Sequence, residues 1–160
     1  MIYLVLKAIH VASVAIFLGN ITTGIFWKEH ADRTKDPRLI AHALEGIIGS
    51  DRLFTIPGVI GILIGGIGAA MVGHLPMLRT GWILWGILLF SVSGVAFMAG
   101  VAPLQRKMAA LMRAGATSGS PDWAAYEKLS RDWNMWGLIA LIAPTIALII
   151  MVLKPALPSF

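Results

Sequence analysis

Residues 53 to 72 read LFTIPGVIGILIGGIGAAMV, an apolar stretch without a charged side chain. A helix needs about 20 residues of this kind to cross the hydrocarbon core of a bilayer. Three further apolar stretches occupy residues 2–27, 82–102 and 135–153. We therefore predict a single all-α domain over residues 1–160, an integral membrane four-helix bundle that crosses the bilayer four times.

The composition agrees with a membrane protein. Hydrophobic residues make up 58% of the chain and charged residues 13%, with a mean hydropathy of +0.80, whereas about a quarter of the residues in soluble domains are charged. There is no cysteine, which excludes disulfides, thiolate catalysis and cysteine-bound iron–sulfur clusters. The net charge of +5 comes from bases that alternate with acids, so we predict the lipid bilayer, and no nucleic acid, as a partner.

The connections between the apolar stretches differ in charge. Five bases lie in residues 28–52 and five in residues 104–133, whereas the other side carries only Lys7, Arg79 and Lys154. Bases in short loops favour the cytoplasm, so we predict that both termini lie outside it, on the opposite side of the membrane. Residues 2–27 lack a basic leader and a small-residue cleavage site, so we expect a permanent helix. All eight acids lie in the two long connections, which leaves no intramembrane acid to couple a carrier.

The long connections contain helical signals, which predict cytoplasmic helical extensions of the bundle. Asp36 and Pro37 supply a cap and a first-turn proline. Six apolar residues then share one half of a helix, namely Leu39, Ile40, Ala43, Leu44, Ile47 and Ile48. We predict an amphipathic helix on the membrane surface, followed by a second helix that residues 50–51 cap.

The second long connection begins with helical spacing beyond Pro103, which predicts that the third span continues to about Arg113. We predict a flexible loop over residues 114–120. Ser120 and Pro121 then predict the cap and the first turn of the last helix. The aromatic residues that follow either lie at the membrane interface or pack against the extended third helix; they are Trp123, Tyr126, Trp133 and Trp136.

His10 is the residue most suited to chemistry. On a helix it shares a face with Ser13, Phe17, Asn20 and Gly24, and Lys7 lies at the margin. An ionisable residue at membrane depth indicates a functional site. The alternatives are that His10 donates a hydrogen bond to a neighbouring helix and that Lys7 extends to the outer interface.

The second apolar stretch carries four glycines within an arc of about 80° on a helix, namely Gly58, Gly61, Gly65 and Gly68. They predict close packing against another helix, and a planar ligand would need the same surface. His74, at the outer end of this stretch, is either solvated or a second ligand to a metal or haem iron. The chain has no phosphate-binding loop, zinc-protease motif, nucleophile elbow or paired carboxylates, so it carries no hydrolase signature.

Residues 6–11, LKAIHV, and 17–19, FLG, resemble the start of the HemJ-type membrane protoporphyrinogen oxidases and, more loosely, of the CopD copper-resistance membrane proteins. Residues 51–57, DRLFTIP, and 81–82, GW, extend the likeness. The whole chain is most similar to an uncharacterised family of bacterial predicted integral membrane proteins related to them. The resemblance implies haem b with His10 as the metal ligand and Lys7 near the propionates or the iron.

Two hypotheses about function follow. The first is a haem-associated or redox-associated protein with a pocket in the outer half, lined by His10, Ser13 and the glycines, with His74 as a second ligand. The second is a non-enzymatic accessory subunit or scaffold that forms a homo-oligomer or joins a membrane complex through its small-residue faces. A carrier of a small solute or proton is disfavoured because no acid lies within the spans.

The predicted orientation places Met1 and Phe160 outside and residues 114–120 in the cytoplasm. We expect an impermeant thiol reagent to label a cysteine introduced at Ser159 in intact cells, and to label one at Ser118 only after the membrane is opened. The opposite pattern of labelling would reverse the orientation.

Overall fold

The computed structural model describes residues 1–159, which fold into helices joined by short turns and contain no β-strand. The helices are α1 (Ile2–Thr34), α2 (Pro37–Ser50), α3 (Ile56–Val72), α4 (Gly81–Ala96), α5 (Ala102–Ser118) and α6 (Trp123–Leu153). Two π-helical segments, Asp51–Thr55 and Phe97–Val101, join α2 to α3 and α4 to α5. Four continuous helical stretches are therefore long and apolar enough to cross a bilayer, and the protein is an all-α membrane bundle. Phe160, which we predict to be outside, is not among the described residues.

The two ends of the bundle differ in how the helices pair. We call the end with α3 and α4 the outer half and the end with α2 and α5 the inner half. In the outer half α1 packs against α3, and α4 packs against α6. In the inner half α2 packs against α5, and α1 and α6 complete a ring of four helices. Within residues 1–159, no Cα atom of α3 lies within 8 Å of one in α4 or α6, so the outer half consists of two helical hairpins.

The amphipathic helix expected after Asp36 is α2. Asp36 accepts a hydrogen bond from the backbone N–H of Arg38 at 2.8 Å, with Pro37 in the first turn, which confirms the predicted cap. Ile40 and Leu44 on its apolar face are fully buried against α1 and α5. The protein itself therefore covers this apolar face, and the location of the helix on the membrane surface stays a prediction.

The π segments explain how two prolines are accommodated in continuous helices. Pro57 and Pro103 each follow a π segment by two residues. A proline ring clashes with the carbonyl four residues earlier, which belongs to Leu53 and Ala99, both within the π segments. The wider π turn relieves this clash without ending the helix. The predicted cap at residues 50–51 was wrong, because the helix runs through them.

The connection between α5 and α6 is shorter than the predicted loop over residues 114–120. That stretch is helical up to Gly119, whose φ of +72° ends α5. Asp122, rather than Ser120, caps α6 by accepting a hydrogen bond from the N–H three residues later. The turn is tight because Gly115 has no side chain; a Cβ there would lie 2.6 Å from the Cα of Pro121.

The four glycines of α3 form the close contact that their spacing predicted, and we call them the glycine seam (Gly58, Gly61, Gly65 and Gly68). A Cβ built on Gly65 would lie 2.7 Å from the backbone nitrogen of His10 and 2.8 Å from the carbonyl oxygen of Leu6. Gly61 lies against the side chain of Ser13 in the same way. The seam thus allows the backbones of α1 and α3 to approach, as small residues do between membrane helices.

We expect Gly65→Leu to force α1 and α3 apart, because backbone atoms of α1 occupy the space that a side chain needs. The loss of stability should be about 3 kcal/mol, at the upper end of the range for overpacking, measured as a lower midpoint of thermal unfolding in detergent. Gly94→Leu is the matched control, because a Cβ on that α4 glycine meets no described atom within 4 Å. Equal midpoints for the two variants would contradict the packing.

Candidate functional site

His10 lies in the outer half at the contact between α1 and α3. Its Nδ1 is 2.9 Å from the backbone carbonyl oxygen of Ile62. Because a carbonyl oxygen only accepts, Nδ1 must carry a proton and donate, which in a neutral ring leaves the lone pair on Nε2. In the described part of the chain, the Ile62 bond is the one hydrogen bond of the ring. Of the two neutral tautomers, this bond therefore favours the one whose free nitrogen is Nε2, the nitrogen that could bind a metal.

The other residues proposed for this site lie at different depths. Ser13 is half-buried against the glycine seam, whereas Lys7 is exposed. His74 is exposed in the turn after α3, with a φ of +52°, and the helical rise from Ile62 to the end of α3 is about 15 Å. The structure thus brings His10 and Ser13 together and leaves His74 at the outer end.

The glycine seam leaves no space for a ligand between α1 and α3. Backbone atoms of α1 lie against Gly65, and the Ser13 side chain lies against Gly61. Gly66, beside the seam, contacts the His10 ring, since a Cβ there would lie 2.8 Å from Nδ1. The expected pocket lined by the glycines is therefore corrected, because α1 fills the space over the glycine seam.

A buried charged cluster in the inner half was missed from the sequence. Lys28 is 1% exposed, and its Nζ lies 2.8 Å from the Asp32 carboxylate. Nζ also donates to the Ser130 hydroxyl, and the Tyr126 hydroxyl donates to Asp32. The ring centre of Trp133 is 5.3 Å from Nζ, within the range of a cation–π interaction. We call Lys28, Asp32, Tyr126 and Ser130 the Lys28 cluster.

The sequence contained a signal for this cluster. Asn20, Gly24 and Lys28 follow one another at four-residue spacing, which continues the polar face of α1 that begins at His10. The apolar run ends at Trp27, and Lys28 was therefore assigned to a connection. The helix continues for two further turns, so Lys28 is instead inside the protein.

Asp51 was also assigned to a connection, yet it is only 8% exposed. The Asn20 amide and the Thr55 hydroxyl donate to Oδ1 at 3.0 and 2.9 Å, and the Gln105 amide donates to Oδ2 at 3.3 Å. No basic group in residues 1–159 forms an ion pair with Asp51. The bundle therefore encloses a carboxylate held by three neutral donors, which we call the Asp51 cluster (Asn20, Asp51, Thr55 and Gln105).

Two aromatic rings separate the outer site from these inner clusters. Phe17 of α1 is 5% exposed and meets Phe90 of α4 edge to face, with ring centres 5.7 Å apart. On α1, Phe17 lies between Ser13 and Asn20. The apolar pair therefore interrupts the polar face of α1 between the His10 site and the Asp51 cluster.

A cleft of about 260 Å³ opens at the inner end beside the Lys28 cluster. Its lining carries bases, acids and aromatic rings, contributed by Asp32, Lys35, Trp123, Tyr126, Glu127, Ser130 and Arg131. Within residues 1–159, no three His, Cys, Asp or Glu side chains lie close enough together to hold a metal ion.

The four apolar helical stretches define an integral membrane protein. The chain belongs to the family described as "Predicted integral membrane protein (DUF2269)", whose sequence profile matches residues 4–155. No curated protein and no solved structure matches it. The family confirms the resemblance to uncharacterised integral membrane proteins, whereas the relation to the HemJ-type and CopD proteins stays a prediction.

We expect Lys28→Met to destabilise the protein by about 3 kcal/mol, because removing one partner of a buried pair leaves the other charge uncompensated. Asp32 retains 26% side-chain exposure, which places the loss at the lower end of the usual range. The measurement is the midpoint of unfolding in detergent. Lys107→Met is the control, since Lys107 is exposed and should change stability by less than about 0.5 kcal/mol. Similar midpoints for both variants would show that the Lys28 cluster does not stabilise the fold.

Proposed function

We propose that the protein binds haem b in the outer half of the membrane, with His10 as an axial ligand. The observation that supports this proposal is the bond from Nδ1 to the carbonyl of Ile62. Metal-binding histidines usually donate their second ring nitrogen to a carbonyl or carboxylate, which fixes the ring. A ring nitrogen without a hydrogen-bond partner at bilayer depth is otherwise costly, and coordination of iron by Nε2 would satisfy it.

The position of the other residues constrains how haem would bind. Because α1 fills the glycine seam, the macrocycle would lie against the α1–α3 hairpin on the side of Nε2. Lys7, one helical turn toward the outer end, is exposed and suits an ion pair with a propionate. His74 lies beyond the end of α3, so the proposal assigns one axial ligand to this chain. Haem supplies one-electron redox chemistry when bound.

The proposal places this haem site on the outer side of the bacterial inner membrane. Ten of the thirteen bases lie in residues 28–52 and 104–133, which supports a cytoplasmic inner half. In this orientation His10 and Lys7 belong to the outer leaflet. A redox partner would therefore approach from the periplasmic or extracellular side.

The test is the absorption spectrum of the protein purified from cells supplied with ample haem. We expect a haem band in the wild type, its loss in His10→Ala, and its retention in His74→Ala and in the exposed control His42→Ala. Size-exclusion chromatography of His10→Ala distinguishes loss of the ligand from loss of the fold. A wild type without a haem band would refute the cofactor, and an unchanged band in His10→Ala would refute the ligand.

The second candidate is a non-enzymatic accessory subunit or scaffold. Two observations favour it: the glycine seam packs α1 against α3, and the His10 hydrogen bond joins the same two helices. Both fit a histidine whose role is to fix helix packing. On this proposal the exposed apolar faces of the two hairpins bind a second copy or another membrane subunit. A colourless wild type that purifies as an oligomer would support this function over haem binding.

A further inference from the structure

A small, partly open cavity lies beside the Asp51 cluster, among α1, α2, the second π segment, α5 and α6. Its volume is about 20 Å³, which exceeds the roughly 10–15 Å³ that one water molecule needs. The polar residues on its walls are Asn20, Asp51, Gln105 and Trp133, and the remaining walls are mainly apolar. The cavity is therefore large enough for one water molecule, and its walls carry the polar partners that a buried water requires.

Trp133 supplies a hydrogen-bond donor without an acceptor. The residue is 3% exposed, and its Nε1 is buried without a partner in the described part of the chain. Buried indole N–H groups usually have a hydrogen-bond partner. Because Trp133 lines the cavity, a water molecule there can accept this hydrogen bond.

Asp51 supplies the complementary group. Among the described residues that line the cavity, only Asp51 has a side chain that ionises in the ordinary pH range. Its hydrogen-bond donors are neutral, and a buried carboxylate without a cation is costly to ionise. A further hydrogen bond from water stabilises the ionised carboxylate, and a bound proton removes its charge.

The neighbouring helices bring no free cation to Asp51. The cation on the same face of α1 is Lys28, two turns toward the inner end, and Asp32 already pairs with it. From α5 the group that faces Asp51 is the Gln105 amide, and from α6 it is Trp133. From α2 the wall is the apolar Ile47.

We propose that this cavity is a proton-binding site in which one water molecule links Trp133 to Asp51. The water accepts a hydrogen bond from Nε1 and donates one to the carboxylate. During uptake, a proton passes from the solvent through this water to a carboxylate oxygen of Asp51, and the carboxyl group becomes neutral. During release, the proton returns to the solvent by the same route. The site is separate from His10 and does not rest on haem binding.

The first experiment is infrared difference spectroscopy of the full-length, haem-free protein between acidic and alkaline pH. We expect a C=O stretching band from a protonated, buried carboxylic acid. The band should be lost in Asp51→Asn and retained in the control Asp132→Asn, which replaces an exposed acid of α6. A band that persists in Asp51→Asn would overturn the proposal, as would its absence from the wild type. Should Asp51→Asn fail to fold, Asp51→Glu must shift the band, and an unshifted band would equally refute it.

The second experiment tests the water molecule through Trp133. Subtracting the resonance Raman spectrum of Trp133→Phe from that of the wild type isolates the Trp133 indole, which we expect to carry a hydrogen-bonded N–H. The matched variant Trp85→Phe gives the reference for a bonded indole, because the Trp85 N–H donates to the carbonyl of Pro158 at 3.2 Å. Trp133→Phe should also shift the Asp51 band, whereas Trp85→Phe should leave it unchanged. An indole signal without a hydrogen bond would overturn the water link.

Discussion

The backbones of α1 and α3 meet at Gly65 so closely that no side chain fits between them, and the positions of both polar regions depend on this contact. It brings the Ile62 carbonyl to the His10 ring. It also fixes the level of Asp51, because α3 continues without interruption into the first π segment. Asp51 therefore meets Asn20 of α1. A shift of α3 along α1 by one turn would separate both pairs.

The two halves of the bundle differ in how their helices pack. In the outer half the helices pair through glycine, alanine and serine, and most of their large apolar side chains are exposed. This arrangement suits lipid, where hydrophobic burial gives no drive for association and close backbone packing replaces it. In the inner half Leu44, Met108 and Met112 are fully buried, as in a bundle surrounded by water. The change in packing occurs near the two π segments.

The sequence predicted the parts of the fold that depend on periodicity. Four apolar stretches, the α2 face and the glycine seam all follow from spacing along a helix, and the structure contains each of them. Continuity through Asp51 could not be predicted, because Ser50 and Asp51 also fit the cap of a new helix. Tertiary contacts decided the outcome: Asn20 and Gln105, distant in sequence, bind the carboxylate and leave it no role as a cap.

The candidate site was predicted only in part, for a related physical reason. His10 was identified because an imidazole within an apolar run is unusual. Lys28 and Asp51 lie just beyond the ends of apolar runs, where charged side chains are usually solvated. Their burial depends on α2, α5 and α6 closing a ring around α1 in the inner half. Single-helix patterns contain no information about this closure, so Ser130 and Trp133 could not be assigned to Lys28 before the fold was known.

The polar residues of α1 form two regions that Phe17 keeps apart. Beyond Asn20, the same face of α1 carries no polar side chain until Ser13, because Phe17 lies between them and its ring meets that of Phe90. A chain of hydrogen bonds from the inner half therefore ends before it reaches His10. Energetic coupling between a ligand at His10 and the inner clusters would therefore need a packed element that can adopt two discrete arrangements. The helix common to both regions is α1, since it contacts α3 at the glycine seam and carries both Asn20 and Lys28.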